Sequence, residues 1–195
     1  MFGSIADWDA LYRQAFRCLK PGGYIEDHTN SVRWECANDT IKEGSALRQW
    51  TEVMWEYGRK FGRTFRVYEE GVQVKGMEAA GFEGLVVREW KAPVNGWPED
   101  KHLKMIGLCQ RMCFDMDPEG EFFSWRGGVQ SVVCVCGANS LVRNTGWILH
   151  LWHALLGWDR SQVSAFVNHV RKQLNEPNIR PFHRHRMVYA RKPEV

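Results

Sequence analysis

At 195 residues, with 44% hydrophobic and 25% charged side chains, the chain has an ordinary globular composition and enough length to bury a sizeable core. Its formal net charge of +3 is small and its Lys and Arg are dispersed, which argues against the basic stripe of a dedicated nucleic-acid binder. No run of about 18 apolar residues reads as a membrane span. Nothing at the start resembles a signal peptide, and the six Cys show neither a Cys-x-x-Cys pair nor zinc spacing. The expectation is a reduced, soluble protein of the cytoplasm or nucleus without a structural metal, and without nucleic acid or membrane among its partners.

In chain order, Asp7 is placed to cap a helix running to about Lys20, with Trp8, Leu11, Ala15 and Leu19 on one face. Pro21-Gly22-Gly23 stops it, because Pro cannot continue a helix and Gly accepts the positive φ of a tight reversal. Tyr24 to His28 then reads as a short strand. A second helix from about Ser45 carries Leu47, Trp50, Met54, Tyr57 and Phe61 at steps of three and four, and Gly62 sits where a left-handed terminal residue belongs. A third helix spans about Glu70 to Ala80, followed by a strand from Leu85 to Trp90.

Pro98 reads as a first-turn residue of a fourth helix that presents Leu103, Ile106, Cys109, Cys113 and Met116 on one side. Trp147 to Leu156 reads as a short apolar helix. Asp159 and Gln162 form a capping-box pattern for a helix carrying Val163, Phe166, Val167 and Val170. A last strand covers about Phe182 to Arg191. This alternation of helices and strands specifies an α/β protein, and three good strands are few for a self-sufficient doubly wound sheet.

Three signatures converge on one family. Leu19-Lys20-Pro21-Gly22-Gly23 before the first strand resembles the turn between the fourth crossover helix and fifth strand of class I S-adenosylmethionine (SAM) methyltransferases. Gly76-Met77-Glu78-Ala79-Ala80-Gly81-Phe82 before Leu85–Trp90 resembles the last crossover helix and sixth strand of that fold. Met1 to Trp8, Gly58 to Thr64, Gly96-Trp97-Pro98 and Leu156-Gly157-Trp158 resemble the fungal LaeA-like (UMTA-type) methyltransferases of secondary metabolism, over nearly the whole chain except about Glu121 to Gly146.

The resemblance implies a Rossmann-like sheet of strand order 3-2-1-4-5-7-6, in which this chain supplies strands 5, 6 and 7 with their flanking helices. The cofactor it implies is SAM, held over the carboxyl ends of strands 1 and 2. No Gly-x-Gly-x-Gly occurs in the chain, so the expectation is a single incomplete domain lacking the N-terminal SAM-binding half. Methyl transfer to a small-molecule or protein acceptor is one functional reading. The other is a non-catalytic methyltransferase-like fragment that acts as an interaction partner or has no function. Either way an open edge on the Tyr24–His28 strand is expected, and with it self-association or a protein partner.

Residues 121–146 break the family pattern, inserting the strand-like run Val129 to Cys136 between helical stretches. Removing them joins Gly120 to Trp147, which suits the family better. Gly120-Glu121 fits an intron donor and Thr145-Gly146 an acceptor, so a retained intron of 26 codons is one explanation. A genuine loop is the other. Transcript reads that cross the segment without a junction would remove the first.

Several residues carry possible chemistry. In the resemblance, the loop holding Ser4, Asp7 and Trp8 follows strand 4 and faces the cofactor's adenine or the acceptor; Trp8 reads equally as a core residue at a helix start. Glu26 and His28 point the same way, and His28, at a strand end with a suitable pKa, is the candidate base; the alternative is a solvated strand-end His. Trp55 and Arg59 are candidates for contact with the acceptor, although Arg59, Lys60 and Arg63 also complement a helix dipole. His183 and His185 share one face of the last strand, with no third ligand to make a metal site, and His169 reads as a surface helix residue.

Overall fold

The computed structural model describes residues 5–116, Trp152 and residues 156–194. Ser4, the atypical segment 121–146 and most of the helix expected over Trp147–Leu156 lie outside the described residues. The chain divides into two compact units. One comprises Met1–Arg33, Met54–Lys91 and His183–Val195; the other comprises Trp34–Val53 and Ala92–Phe182.

The first unit begins with helix α1, Trp8–Cys18. The Asp7 carboxylate accepts from the Ala10 N–H at 2.8 Å, satisfying one of the amides a helix start leaves open. Gly22, at φ +76°, turns the chain into strand β1, Tyr24–Asn30. The strand runs two residues beyond the sequence expectation. Thr29 and Asn30 look like turn residues but pair with Arg186 and His185 of the last strand.

Helix α3, Val72–Ala79, starts one residue after Gly71, whose φ of +64° keeps residues 70 and 71 out of the helix that the sequence pattern begins at Glu70. It packs against α1. Strand β3, Glu83–Pro93, and strand β4, Pro181–Arg191, complete this unit as far as Lys91 and from His183 onward. β4 lies between β1 and β3. It runs antiparallel to β1, from Tyr24 opposite Arg191 to Asn30 opposite His185.

One face of these strands holds the core. Val188 and Ala190 of β4 pack with Trp8 and Tyr12 of α1, Val67, Met77 of α3 and Phe82. Because strand side chains alternate, His185 and Met187 of β4 and Glu26 and His28 of β1 stand on the opposite face. The core face also carries polar bonds. The Tyr12 hydroxyl donates to the Asp27 carboxylate at 2.5 Å, and the Gln73 amide donates to the Asp27 carbonyl at 2.9 Å. Burial first, and then the Asp27 carboxylate, pushes the Tyr12 pKa up, so its hydroxyl keeps its proton.

In the second unit, the first half of helix α2 (Ala46–Phe61) joins helix α4 (Lys101–Met116) and helix α5 (Arg160–Leu174). The two-residue strand β2, Glu35–Cys36, pairs antiparallel with Pro181 and Phe182. The core is aromatic: Trp34, Trp50, Phe114 and Trp152 are buried beside Val163, Val167, Val170 and Leu174. The expected capping box is formed, with Asp159 accepting from the Gln162 N–H and the Gln162 side chain accepting from the Asp159 N–H.

Helix α4 departs from its sequence expectation twice. Its start is set by Asp100, whose carboxylate accepts from the His102 and Leu103 N–H groups, so Pro98 precedes the helix instead of forming its first turn. Its inward positions are Gly107 and Phe114, seven residues apart on one face. Leu103 and Ile106, expected to pack, are 44% and 45% exposed. The described residues thus form an α/β protein with a small antiparallel sheet, to which β2 adds a short strand that the sequence pattern does not show.

Candidate functional site

The residues with most capacity for chemistry in the first unit meet on the face of β1, β3 and β4 that points away from its core. His28 of β1 stands opposite Met187, and His185 lies one diagonal step away, opposite Asn30. That register brings His28 Nε2 to 2.9 Å from His185 Nδ1, one hydrogen bond between two imidazoles. Trp90 of β3 lies over both rings, with centroids 5.2 Å from His28 and 5.6 Å from His185 and planes within 24° of parallel. The indole therefore fixes the plane in which the two imidazoles sit.

The two histidines differ in environment. His185 is 7% exposed. Burial pushes its pKa down to about 3, helped by the neighbouring His183 and His28 rings. His28 lies on the open side; burial lowers its pKa, while Asp27 and Glu26 oppose the shift. His183, 1% exposed, shares a 3.0 Å hydrogen bond with the Arg33 carbonyl; since a carbonyl only accepts, His183 Nδ1 carries the proton.

These shifts have a definite consequence for stability. Both folded-state values lie below the ordinary histidine value of about 6.5, so the unfolded chain takes up protons that the folded chain refuses. Their contribution to stability is complete above pH 6.5 and is lost as pH falls from there toward the folded values. The urea midpoint is therefore expected to fall between pH 7.5 and pH 4.5, and the part due to His185 to disappear in His185→Gln. A decline of the same size in both proteins would count against the assignment.

At the end of β1 the polar character continues. Thr29, Asn30 and Ser31 are buried, and the Ser31 hydroxyl donates to the Glu69 carboxylate. The Ser31 oxygen also accepts from the Arg33 N–H, which fixes the turn leaving the strand.

The other candidates are dispersed. Glu26 is exposed on the same face as His28. The Asp7 carboxylate is engaged as the α1 cap, and Trp8 is 8% exposed, in the core and stacked on Tyr12. Ser4 is outside the described residues. Trp55 lies under the Arg66 guanidinium, 4.7 Å from its ring centroid. Arg59 donates to both oxygens of Glu56 at 2.7 and 3.0 Å on the exposed surface of α2.

The Asp7 carboxylate is thus engaged as a helix cap and the Trp8 ring is packed into the core of the first unit. Among the described residues, no group of three or more His, Cys, Asp or Glu could hold a metal ion, and no helix is long and apolar enough to cross a membrane. Sequence spacing singles out His28 and the His183/His185 pair separately. It reveals neither their meeting nor the part of Trp90, because 157 residues separate His28 from His185 and only strand register joins them.

No protein-family model matches the chain and no solved structure matches it. Curated relatives do. Methyltransferase pytC of Aspergillus terreus is 25% identical over 193 residues, covering 99% of this chain and 51% of that protein. The probable methyltransferase tdiE of Emericella nidulans is 25% identical over 187 residues, covering 96% and 50%. The secondary metabolism regulator LAE1 of Cochliobolus heterostrophus is 34% identical over 110 residues, covering 54% and 34%. The chain spans about half the length of the first of these relatives. By sequence, then, it is a relative of the fungal LaeA-like methyltransferases.

Proposed function

We propose that this chain is the carboxy-terminal part of a SAM-dependent methyltransferase linked to fungal secondary metabolism, with the SAM-binding strands supplied by sequence outside these 195 residues. The observation that carries the reading is strand order. β4, last in the chain, inserts between β1 and β3, as strand 7 lies between strands 5 and 6 in the sheet that the family resemblance implies. An antiparallel last strand placed inside its neighbours is a specific arrangement, and its match with the turns at Pro21–Gly23 and Gly81 supports the assignment.

In this reading SAM, once bound, supplies an electrophilic methyl group, and the chain's own contribution is to the acceptor side. His28 is the proton-transfer group. It stands on the open face of the strands, and a lowered pKa leaves it neutral at physiological pH, the form a base requires. Glu26, two residues away on the same face, supplies negative charge that favours the imidazolium once it forms. The acceptor is a small molecule or a protein, which family membership does not decide between.

A second reading has its own observation. Among the described residues β1 is paired along one edge only, and Tyr24 at its start is 64% exposed. An open strand edge suits a non-catalytic fragment that pairs with another polypeptide. The DNA preceding the Met1 codon separates the two. Translated across introns, it should encode a strand followed by Gly-x-Gly-x-Gly if the methyltransferase reading holds. Its absence would leave the interaction reading.

A further inference from the structure

We infer that His185 is a positioning residue for His28: its Nδ1 lone pair accepts from His28 Nε2–H, leaving His28 Nδ1 as the nitrogen that takes up and releases a proton. This rests on the proposed role of His28 in proton transfer, and it concerns a residue to which that role assigns nothing.

The argument starts from the hydrogen bond of 2.9 Å between His28 Nε2 and His185 Nδ1. With both rings neutral, either nitrogen could be the donor. A ring that transfers protons, however, passes through its imidazolium form, in which both nitrogens carry hydrogen. If His28 becomes imidazolium, its Nε2 must donate. The bond then survives both states of His28 in one arrangement alone, with His185 Nδ1 bare throughout. The reverse arrangement would set two N–H groups against each other whenever His28 is protonated.

Burial decides which ring titrates. His185 is 7% exposed and its lowered pKa keeps it neutral, whereas His28 is on the open side of the strands. The surrounding charges agree. Asp27 and Glu26 on β1 favour a cation at His28, and His183 on β4 disfavours one at His185. Arg88 on β3 falls on the same face as Trp90 by strand alternation and is exposed.

Trp90 adds the second constraint. Stacked on both imidazoles, it resists rotation of the His28 ring about its own axis, so the free Nδ1 keeps a fixed direction. A buried acceptor that sets tautomer and orientation is what a carboxylate or carbonyl commonly provides to a histidine. Here a neutral second imidazole takes that place.

The test is a long-range nitrogen–proton NMR titration of the whole 195-residue chain labelled with nitrogen-15 in histidine, with H28Q used to assign the signals. At pH 7.5, His185 should show a bare Nδ1 and a protonated Nε2, and His28 a protonated Nε2 and a bare Nδ1. On acidification His28 Nδ1 should gain the proton while the His185 signals stay in place. In His185→Gln, whose amide oxygen is still an acceptor, His28 should keep its tautomer. In His185→Phe it should lose that preference.

A proton on His185 Nδ1 at pH 7.5, or joint titration of the two rings, would overturn the inference using the wild-type protein alone, whether or not a variant folds. Failure of the proton-transfer role would look different. The tautomers would be as stated, but methyl transfer by the full-length enzyme would be indifferent to H28Q.

Discussion

Trp50→Ala is expected to cost about 3–5 kcal/mol, the range for removing a large aromatic side chain from a packed interior. Trp50 is 2% exposed in the first half of α2. Its ring meets Phe114 of α4 at 5.7 Å, Trp152 at 5.7 Å and Phe166 of α5 at 6.4 Å, so it links elements far apart in sequence. Edge-on and stacked aromatic pairs add to the area buried, each by about 0.5–1.5 kcal/mol. The surrounding rings are themselves pinned: Trp152 and Phe166 both pack on Trp158, and Phe114 packs on Trp34. Collapse into the vacated space is therefore limited, which places the cost toward the upper part of that range. Trp50→Phe keeps one ring and should lose less than half as much. Urea denaturation followed by circular dichroism gives both numbers; a loss below about 1 kcal/mol for the Ala variant would contradict this account of the core.

The second large effect comes from adding one methyl group. Gly107 lies on the inward face of α4, and a Cβ there would run into the backbone carbonyl oxygen of Asn95. In an exposed helix, Gly→Ala gains about 1 kcal/mol from helix propensity. Here the opposing atom belongs to a turn that has little freedom to retreat. Asn95 has φ +73°, its N–H donates to the Gly107 carbonyl at 3.0 Å, and its side-chain amide donates to the Leu174 carbonyl at 2.6 Å. On either side, the Val94 N–H and the Trp97 indole both donate to the Pro181 carbonyl. Gly107→Ala must shift the helix or break this set, and a net loss of about 2–3 kcal/mol is expected. A neutral or stabilising result by the same measurement would show that the turn yields.

What is legible in the sequence is local. The Asp7 cap, the Gly22 reversal, the left-handed Gly62 and the Asp159–Gln162 capping box are each determined by residues within four positions, and each is present. The α5 stripe of Val163, Val167 and Val170 is equally visible, because helical spacing and burial coincide there. The fourth helix is misread for the complementary reason. Its apolar residues lie nearly all round, so periodicity does not single out the face, and Met105 and Met112, 61% and 56% exposed, are no less apolar than Phe114. Tyr12 gives no sign of its place in the core, since its hydroxyl marks it as polar until Asp27 arrives from β1 to accept from it.

The candidate site follows the same division. Glu26 and His28 share a face because strands alternate, which is readable from spacing alone. Their neighbours His185 and Trp90 come from strands more than sixty residues further along the chain, and nothing local announces them. The place of β4 beside both β1 and β3 is not deducible from propensity, because strand pairing joins segments far apart in the chain. The assignment of Ser4, Asp7 and Trp8 to the cofactor comes from resemblance alone, and the described residues commit two of them to a cap and a core.

The central proposal, that these residues form the trailing part of a methyltransferase whose cofactor-binding strands lie elsewhere, is tested most directly by calorimetry. Titrating SAM into the purified 195-residue chain should release no binding heat. The same titration into a polypeptide extended to the full length of its relatives should give saturable binding. Micromolar affinity in the 195-residue chain itself would contradict the proposal, since a cofactor cradle would then exist within these residues.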